Sequence, residues 1–170
     1  MKIVSLKVES FGQLKNHTLE FGDHLNVVYA PNGFGKSTLA DAIRAALLLQ
    51  HGSVEYKKWI PWGTQDSPKV ELVFQPEPMR FLRVKKTFGP GGSSLLEQSK
   101  DNISYSKKAS GRSVDGEIRN TLRWGIPEPG KGASRGLPSS FLTSVLLPTQ
   151  DDVMSVLSDG VAQDLSLIHI

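Results

Sequence analysis

Glycine, lysine and hydroxyl side chains are concentrated in the stretch Ala-Pro-Asn-Gly-Phe-Gly-Lys-Ser-Thr, which begins at Ala30. Gly33, Gly35, Lys36 and Ser37 follow the pattern of a phosphate-binding loop, G-x-x-x-x-G-K-[ST], and Ala30 takes the place of the first glycine. Glycines allow the backbone to form a concave row of N–H donors that a phosphate can approach closely. We expect the small Ala30 to strain the tight turn without abolishing the site.

Two predicted elements would position this loop. Residues 25–30 are continuously apolar, which predicts a strand that is buried on both faces. After the loop, apolar residues recur at helical spacing and predict a helix over residues 37–50 with one apolar stripe. The positive end of that helix would point at the anion that the loop holds. We therefore expect Lys36 to reach the β and γ phosphates of a nucleotide and the Ser37 hydroxyl to bind Mg²⁺.

The residues predicted to bind the nucleotide are Asn32, Gly33, Phe34, Gly35, Lys36, Ser37 and Thr38. The alternative interpretation is a plain glycine turn with a lysine beside it by chance. A buried strand before the loop and an amphipathic helix after it favour the phosphate-binding loop, because motif and context then agree.

The rest of the chain alternates between strand and helix patterns. Residues 2–10 and 17–21 alternate polar and apolar side chains, as strands with one wet face do. From Lys69 onward the same period returns in a predicted antiparallel meander with a turn at residues 75–79. Two weaker strands are expected to follow, one around Leu95 and one at residues 103–105. Short helices are predicted at residues 114–124 and 151–161, separated by a loop rich in Pro, Gly and Ser at residues 127–138.

Composition limits the class of protein. A chain of 170 residues suggests one domain, and the absence of cysteine excludes disulfides and thiolate metal sites. The four histidines show no ligand spacing. There is no apolar run of about 18 residues, so we expect no membrane-spanning helix and a cytoplasmic protein.

The net charge of +3 is mild, but basic residues cluster at Arg80, Arg83, Lys85 and Lys86 with no acid among them. The first interpretation of this cluster is a solvated face, which is common on soluble domains. The second is a surface that makes salt-dependent contacts with DNA phosphates.

The first 46 residues resemble a known family. The pattern consists of two strands, then Asn32-Gly33-x-Gly35-Lys36-Ser37-Thr38, then Leu39-Ala-Asp-Ala-Ile43. It is similar to the N-terminal lobe of SMC-type ATPases, and most of all to the SbcC-like double-strand-break repair ATPases and the related YhaN-like proteins. SbcC-like lobes commonly carry an arginine after the phenylalanine of the first strand. This chain has Phe11-Gly12-Gln13, which is more similar to the YhaN-like pattern.

The resemblance implies an α/β fold, the P-loop NTPase half-domain that forms the N-lobe of an ABC/SMC head. Such a lobe has a mixed sheet, an antiparallel β meander and the start of a coiled-coil helix. The resemblance also implies that residues 1–164 are the ATP-binding lobe, with the Walker A loop at residues 30–38. None of the family's C-terminal motifs (signature serine, Walker B aspartate, catalytic glutamate) is found, so we expect an exposed sheet edge.

The resemblance also implies a role for Gln150. The segment 141–150 is similar to the family's Q-loop, in which a glutamine contacts Mg²⁺ and the attacking water, so Gln150 is a predicted catalytic and metal-binding residue. A neutral amide can do this without adding charge beside the triphosphate. The rival interpretation is a Walker B motif with Asp151 or Asp152 as the metal ligand, but Pro148 and Thr149 interrupt the apolar strand before the acids.

The function implied is ATP binding with Mg²⁺ and, in a complete head dimer, ATP hydrolysis that drives DNA tethering or processing in repair or chromosome maintenance. The partners implied are the C-terminal lobe of the same protein, a second head across the ATP, and DNA; a nuclease partner is left open, and no membrane is expected. The alternatives are an ATP-dependent association module without catalysis and a transporter ATPase subunit. The long spacing from the loop to Gln150 disfavours the transporter, and we expect the fragment alone to be inactive.

The last six residues, 165–170, break the helical pattern that precedes them. They read Leu-Ser-Leu-Ile-His-Ile, which the codons CTG-TCT-CTT-ATA-CAC-ATC of a sequencing-library transposon adaptor would encode. We expect this tail to be non-native and the natural chain to run on into a coiled coil; the alternative is a natural apolar tail that packs on the domain.

Overall fold

The structure is a computed structural model that describes residues 1–122. These residues form six strands and two α-helices in the order β1 (Lys2–Phe11), β2 (Leu14–Glu20), α1 (Lys36–Leu48), β3 (Lys69–Glu77), β4 (Arg80–Thr87), β5 (Ser93–Ser99), β6 (Ser106–Ser110) and α2 (Ser113–Leu122). A short 3₁₀ turn, Val54–Trp59, lies between α1 and β3. None of the helices within residues 1–122 is long and apolar enough to cross a membrane.

The strands form one sheet in the order β2-β1-β3-β4-β5-β6. Each neighbouring pair is antiparallel. The predicted meander is confirmed, since β3 to β6 pair consecutively along the chain. The expected mixed sheet would need a parallel strand, and residues 1–122 contribute none to this sheet.

Alternation along the strands gives the sheet one inner and one outer face. In β4, Leu82 and Val84 are buried while Arg83 is half-exposed, and Leu72 of β3 repeats the inner pattern. Helix α1 contacts β1, β3 and β4. The buried stripe of α1 contains several alanines, among them Ala42, and such small side chains let the helix approach the sheet closely.

Three aromatic rings pack the 3₁₀ turn against the sheet. Phe11 at the end of β1 stacks on Trp59, with ring centroids 4.9 Å apart, and Phe88 after β4 lies 6.4 Å from both. All three rings are buried. Such aromatic pairs contribute roughly 0.5–1.5 kcal/mol beyond the area that they bury. The cluster therefore fixes the segment after α1 to the end of β1, beside the phosphate-binding loop.

The buried strand predicted at residues 25–30 is not found. The segment is not part of the sheet, and Leu25 and Tyr29 are 89% and 92% exposed. The Asn26 side chain instead accepts from the Gly22 N–H at 2.8 Å and donates to the His24 carbonyl at 2.9 Å. Such local side-chain bonds compete with strand formation, and an apolar run becomes a strand only where a neighbour pairs with its backbone.

Two details of the meander also differ from prediction. The turn expected at residues 75–79 is shorter, because β3 continues to Glu77. The weak strand expected at residues 103–105 is wrong: Ile103 lies in a turn and is 82% exposed, and the strand is Ser106–Ser110. The Asp101 carboxylate holds that turn by accepting from the backbone N–H groups of Ile103 and Ser104, each at 2.9 Å.

Candidate functional site

The glycines of the predicted loop adopt left-handed backbone conformations. Gly33 and Gly35 both have φ of +84°, a region that costs a residue with a Cβ roughly 1 kcal/mol or more. A Cβ at Gly33 would meet no atom within 4 Å, so the conformation alone selects glycine there. The Phe34 N–H points back to the Pro31 carbonyl at 3.4 Å, and the chain turns tightly between them.

Lys36 lies at the centre of this turn. It is the first residue of α1, and its Nζ donates to the carbonyl oxygens of Ala30 at 2.6 Å and Pro31 at 2.9 Å. The loop is therefore closed around the ammonium group. The cation neutralises carbonyl oxygens that would otherwise repel a phosphate, and it keeps a third donor direction for a ligand.

The beginning of α1 is suited to an anion. Gly35 precedes the first helical residue, and no side chain of the described region caps this end of α1 or places an acid in its first turn. The first N–H groups of a helix have no partner within it, and they carry a partial positive charge. The loop, the Lys36 ammonium and this helix end thus fit the phosphates of a nucleotide.

Seven of the predicted site residues lie in this one loop and first helical turn. Asn32, Phe34 and Ser37 are exposed, and Phe34 is 68% accessible. Thr38 is half-buried beneath the turn that joins β1 and β2. An exposed hydroxyl at Ser37 fits a Mg²⁺ ion bound with the phosphates. Gln150, like the rival pair that follows it, lies outside the described residues.

A groove of about 610 Å³ adjoins the first turn of α1 and was not anticipated from the sequence. Thr38 and Asp41 line its helix side, and Asp41 accepts from the Trp59 indole N–H at 3.4 Å. Trp62 lines the other side and is fully exposed. The signal in the sequence was a pair of tryptophans three residues apart in the connection after α1.

The predicted basic cluster Arg80, Arg83, Lys85 and Lys86 is not one charged face. Alternation along β4 turns Lys86 inward, where it is 1% exposed and pairs with Asp115 of α2 at 2.7 Å. The prediction of a four-residue DNA surface is therefore wrong for Lys86, because a buried ammonium cannot reach a phosphate backbone.

The other three members of the cluster face solvent but are paired with acids from neighbouring strands. Arg83 Nε and Lys85 Nζ lie 2.7 and 3.2 Å from the Glu97 carboxylate, and Arg80 lies 3.5 Å from Glu77. Partial burial acts to raise the pKa of Glu97, but hydrogen bonds from Arg83 and Lys85 outweigh it and hold that pKa below its usual value. This pairing favours the solvated face over the DNA surface.

Comparison with known proteins agrees with this geometry. Residues 5–123 match the family described as an AAA domain. The DNA double-strand break repair Rad50 ATPase of Methanopyrus kandleri is 31% identical over 126 residues, which cover 71% of this chain and 14% of that protein. A solved structure from work on ATP-driven dimerisation and DNA-stimulated activation of SMC ATPases shares the fold, with a TM-score of 0.61 and 17% identity over 97% of this chain and 96% of that one.

The chain therefore belongs to the AAA domain family, and it is similar in sequence to the Rad50 ATPase and in fold to the SMC ATPase structure. This confirms the predicted family and the predicted α/β head fold. The chain spans 14% of the length of the Rad50 relative.

Proposed function

We propose that this chain binds the triphosphate of ATP, with Mg²⁺, at residues 30–38. The observation that carries the proposal is the closure of the loop around the Lys36 ammonium, at 2.6 and 2.9 Å from its carbonyl oxygens, directly at the uncapped start of α1. In this role Lys36 contacts the β and γ phosphates and the loop N–H groups bind the phosphate oxygens. Ser37 holds Mg²⁺, which neutralises charge on those oxygens.

The exposed residues around the loop extend the proposed site. Asn32 and Phe34 lie on the outside of the loop, and Thr38 leads into the groove of about 610 Å³. A fully exposed indole at Trp62 offers a flat apolar face on which the base could stack. We assign the base and ribose to this groove because it adjoins the phosphate loop.

The activity of the whole protein is part of the same proposal. We infer an ATPase that hydrolyses ATP in a complete head dimer and acts in double-strand-break repair or chromosome maintenance, as the Rad50 relative supports. Gln150 would contact the metal and orient the attacking water. Its partners would be DNA, a second head and, in a repair role, a nuclease.

The exposed segment at residues 25–30 supports a further partner, the C-terminal lobe of the same protein. Leu25, Val27 and Tyr29 are all more than three-quarters exposed, and their backbone is outside the sheet. Apolar strand-forming residues exposed in a row are typical of a surface that another element covers. A strand of the second lobe would supply the pairing that residues 1–122 do not.

Isothermal titration of the 170-residue chain with MgATP tests the nucleotide site. We expect saturable binding by the wild type and none detectable for Lys36→Ala, because the ammonium meets the densest charge of the ligand. Lys100→Ala is the matched control, since Lys100 is exposed after β5 and should bind as the wild type does. Circular dichroism checks that all three proteins are folded. Equal affinity for Lys36→Ala and the wild type, or no binding by the wild type, would overturn the proposal.

A further inference from the structure

We propose that the turn between β1 and β2 positions the phosphate-binding loop, with Gly12 and Leu14 as positioning residues. This inference rests on the proposed nucleotide site, and it concerns what holds that site in shape. Both residues lie outside the loop motif, about twenty residues before it. Neither would touch the nucleotide phosphates by the proposed assignment, although Gly12 also lines the groove assigned to the base and ribose.

Gly12 is wedged between two elements. A Cβ on Gly12 would lie 2.9 Å from Thr38 Cγ2, closer than carbon atoms pack. On its other side the Gly12 N–H donates to the Trp59 carbonyl at 2.6 Å, so the residue cannot retreat without losing that bond. Its φ of +59° is also in the left-handed region. Only glycine lets the turn approach the first turn of α1 this closely.

Leu14 makes the second contact. A Cβ on Gly35 would lie 2.9 Å from Leu14 Cδ2 and 3.4 Å from Leu14 Cγ, so this side chain is seated directly on the residue before the helix. Leu14 is 2% exposed, although most of β2 after it is open to solvent. Its buried side chain therefore covers the residue that precedes the helix.

The two contacts lie on either side of the residues proposed to bind the phosphates and Mg²⁺. Leu14 rests on Gly35 and Gly12 rests on Thr38, and the two residues between are Lys36 and Ser37. The β1–β2 turn thus restrains the backbone on both sides of the lysine and the hydroxyl. Because the loop is already restrained before the ligand binds, less conformational entropy is lost on binding. Such preorganisation raises the affinity without adding a contact to the ligand. Small displacements of positioned groups can have large effects.

The test uses a double-mutant cycle between Gly12 and Thr38 in the 170-residue chain, read by titration with MgATP. We expect Gly12→Ala to raise the Kd tenfold or more, which is about 1.4 kcal/mol. Thr38→Ser removes the methyl group at 2.9 Å and leaves an oxygen position 3.9 Å away, an ordinary contact. In the Thr38→Ser background we therefore expect Gly12→Ala to raise the Kd less than about threefold.

Gly111→Ala is the matched control. Gly111 has nearly the same backbone conformation, φ +62°, but a Cβ there would meet nothing within 4 Å. Both glycine substitutions introduce left-handed strain, so both should lower the melting temperature, and Gly12→Ala should lower it further because its Cβ also meets Thr38. Only Gly12→Ala should weaken nucleotide binding, which separates positioning of the loop from general stability.

Three outcomes overturn the positioning role. These are wild-type affinity in Gly12→Ala, an equal loss of affinity in the wild-type and Thr38→Ser backgrounds, and an equal loss in Gly111→Ala. If Gly12→Ala does not fold, Leu14→Val replaces it, and hydrogen exchange should then quicken for the amides of residues 33–38 but not for those of β4. Unchanged exchange would also refute the inference. Lys36→Ala is measured in parallel. If Lys36→Ala binds MgATP as the wild type does, the proposed function fails. If Lys36→Ala loses binding while Gly12→Ala keeps it, only the positioning role fails.

Discussion

Replacing Lys86 with methionine should destabilise the fold more than any change at the surface. Its Nζ donates to Asp115 Oδ1 and to the Leu49 carbonyl, each at 2.7 Å, and joins β4, α2 and the end of α1. The side chains of Lys86 and Asp115 are 0% and 4% exposed. Burial lowers the pKa of Lys86, and the Asp115 carboxylate opposes that effect. Because both side chains are buried, water cannot take the place of either partner if the other is removed.

The magnitude follows from what the substitution leaves behind. Asp115 would remain as a buried carboxylate without its counterion, and its Oδ2 already has no hydrogen-bond partner within the described chain. The Leu49 carbonyl would lose its side-chain donor as well. Removing one partner of a buried pair costs about 3–5 kcal/mol. Domains are stable by only about 5–15 kcal/mol, so Lys86→Met should remove about a fifth or more of the free energy of unfolding.

Urea unfolding followed by circular dichroism, without nucleotide, measures this loss. The matched variant is Lys86→Met with Asp115→Leu, because apolar replacement of both members of a buried pair is often neutral or stabilising. We expect the double variant to lie within about 2 kcal/mol of the wild type. A loss below about 1 kcal/mol for Lys86→Met, or a double variant no more stable than the single one, would show that the charged pair does not hold α2 to the sheet.

Two further predictions concern the β5–β6 turn and the proposed metal-binding residue Gln150. Hydrogen bonds from the Ser99 hydroxyl and from the Ile103 and Ser104 N–H groups lower the pKa of Asp101 from 3.8 to about 2. The contribution of Asp101 to stability is therefore complete above about pH 4 and is lost as the pH falls towards 2. An NMR titration that returns an ordinary pKa for Asp101 would contradict this prediction. In a complete head, Gln150→Ala should lower turnover far more than ATP affinity; equal losses in kinetic and binding measurements would make Gln150 a plain binding contact.

Periodicity predicted most of the fold because local patterns determine it. The strand period at residues 2–10 and 69–87 became β1, β3 and β4, and the helical period after the loop became α1. Turn positions were less certain, since β3 and β4 meet in a shorter turn than their proline-rich connection suggested. Where a turn depends on one carboxylate, as at Asp101, its placement follows from side-chain hydrogen bonds that hydrophobic patterns do not record.

The basic cluster shows an error that the sequence itself could have corrected. Four cations were grouped by their proximity along the chain, although neighbours in a strand face opposite sides of a sheet. Lys86 has the same parity as Leu82 and Val84, and the alternation that predicts a buried face for those two also places Lys86 inside. Its partner Asp115, on another element, could not be identified from spacing alone.

The loop motif predicted which residues of the site come together, but not what supports them. Lys36 was placed by a pattern in which every member is close in sequence. Gly12 and Leu14 act across about twenty residues, and nothing in their local spacing indicates that a turn between two strands lies on Thr38 and Gly35. Contacts of this kind follow from tertiary packing, which a single sequence does not specify.

The exposed segment at residues 25–30 leads to a last prediction, in which sequence pattern and structure disagree. As a strand buried on both faces, the segment would lose several kcal/mol on Val27→Lys; burying a valine alone is worth roughly 1.5–3 kcal/mol, and an unpaired buried ammonium adds to the loss. In the structure Val27 is 78% exposed, so in the 170-residue chain we expect Val27→Lys to change the free energy of unfolding by less than about 0.5 kcal/mol. Val70→Lys is the control, because Val70 is 3% exposed in β3 and should destabilise the chain by several kcal/mol.

The same substitution in a protein that carries both lobes separates the two interpretations of the segment. If the second lobe pairs with residues 25–30, as we propose, Val27→Lys should become strongly destabilising there while its effect in the 170-residue chain stays small. The apolar run would then be a strand whose partner lies in the other lobe. A small effect in both proteins would refute that pairing and leave the run as an exposed connection to the phosphate loop. A large effect in the short chain would instead mean that the segment is already buried within this lobe.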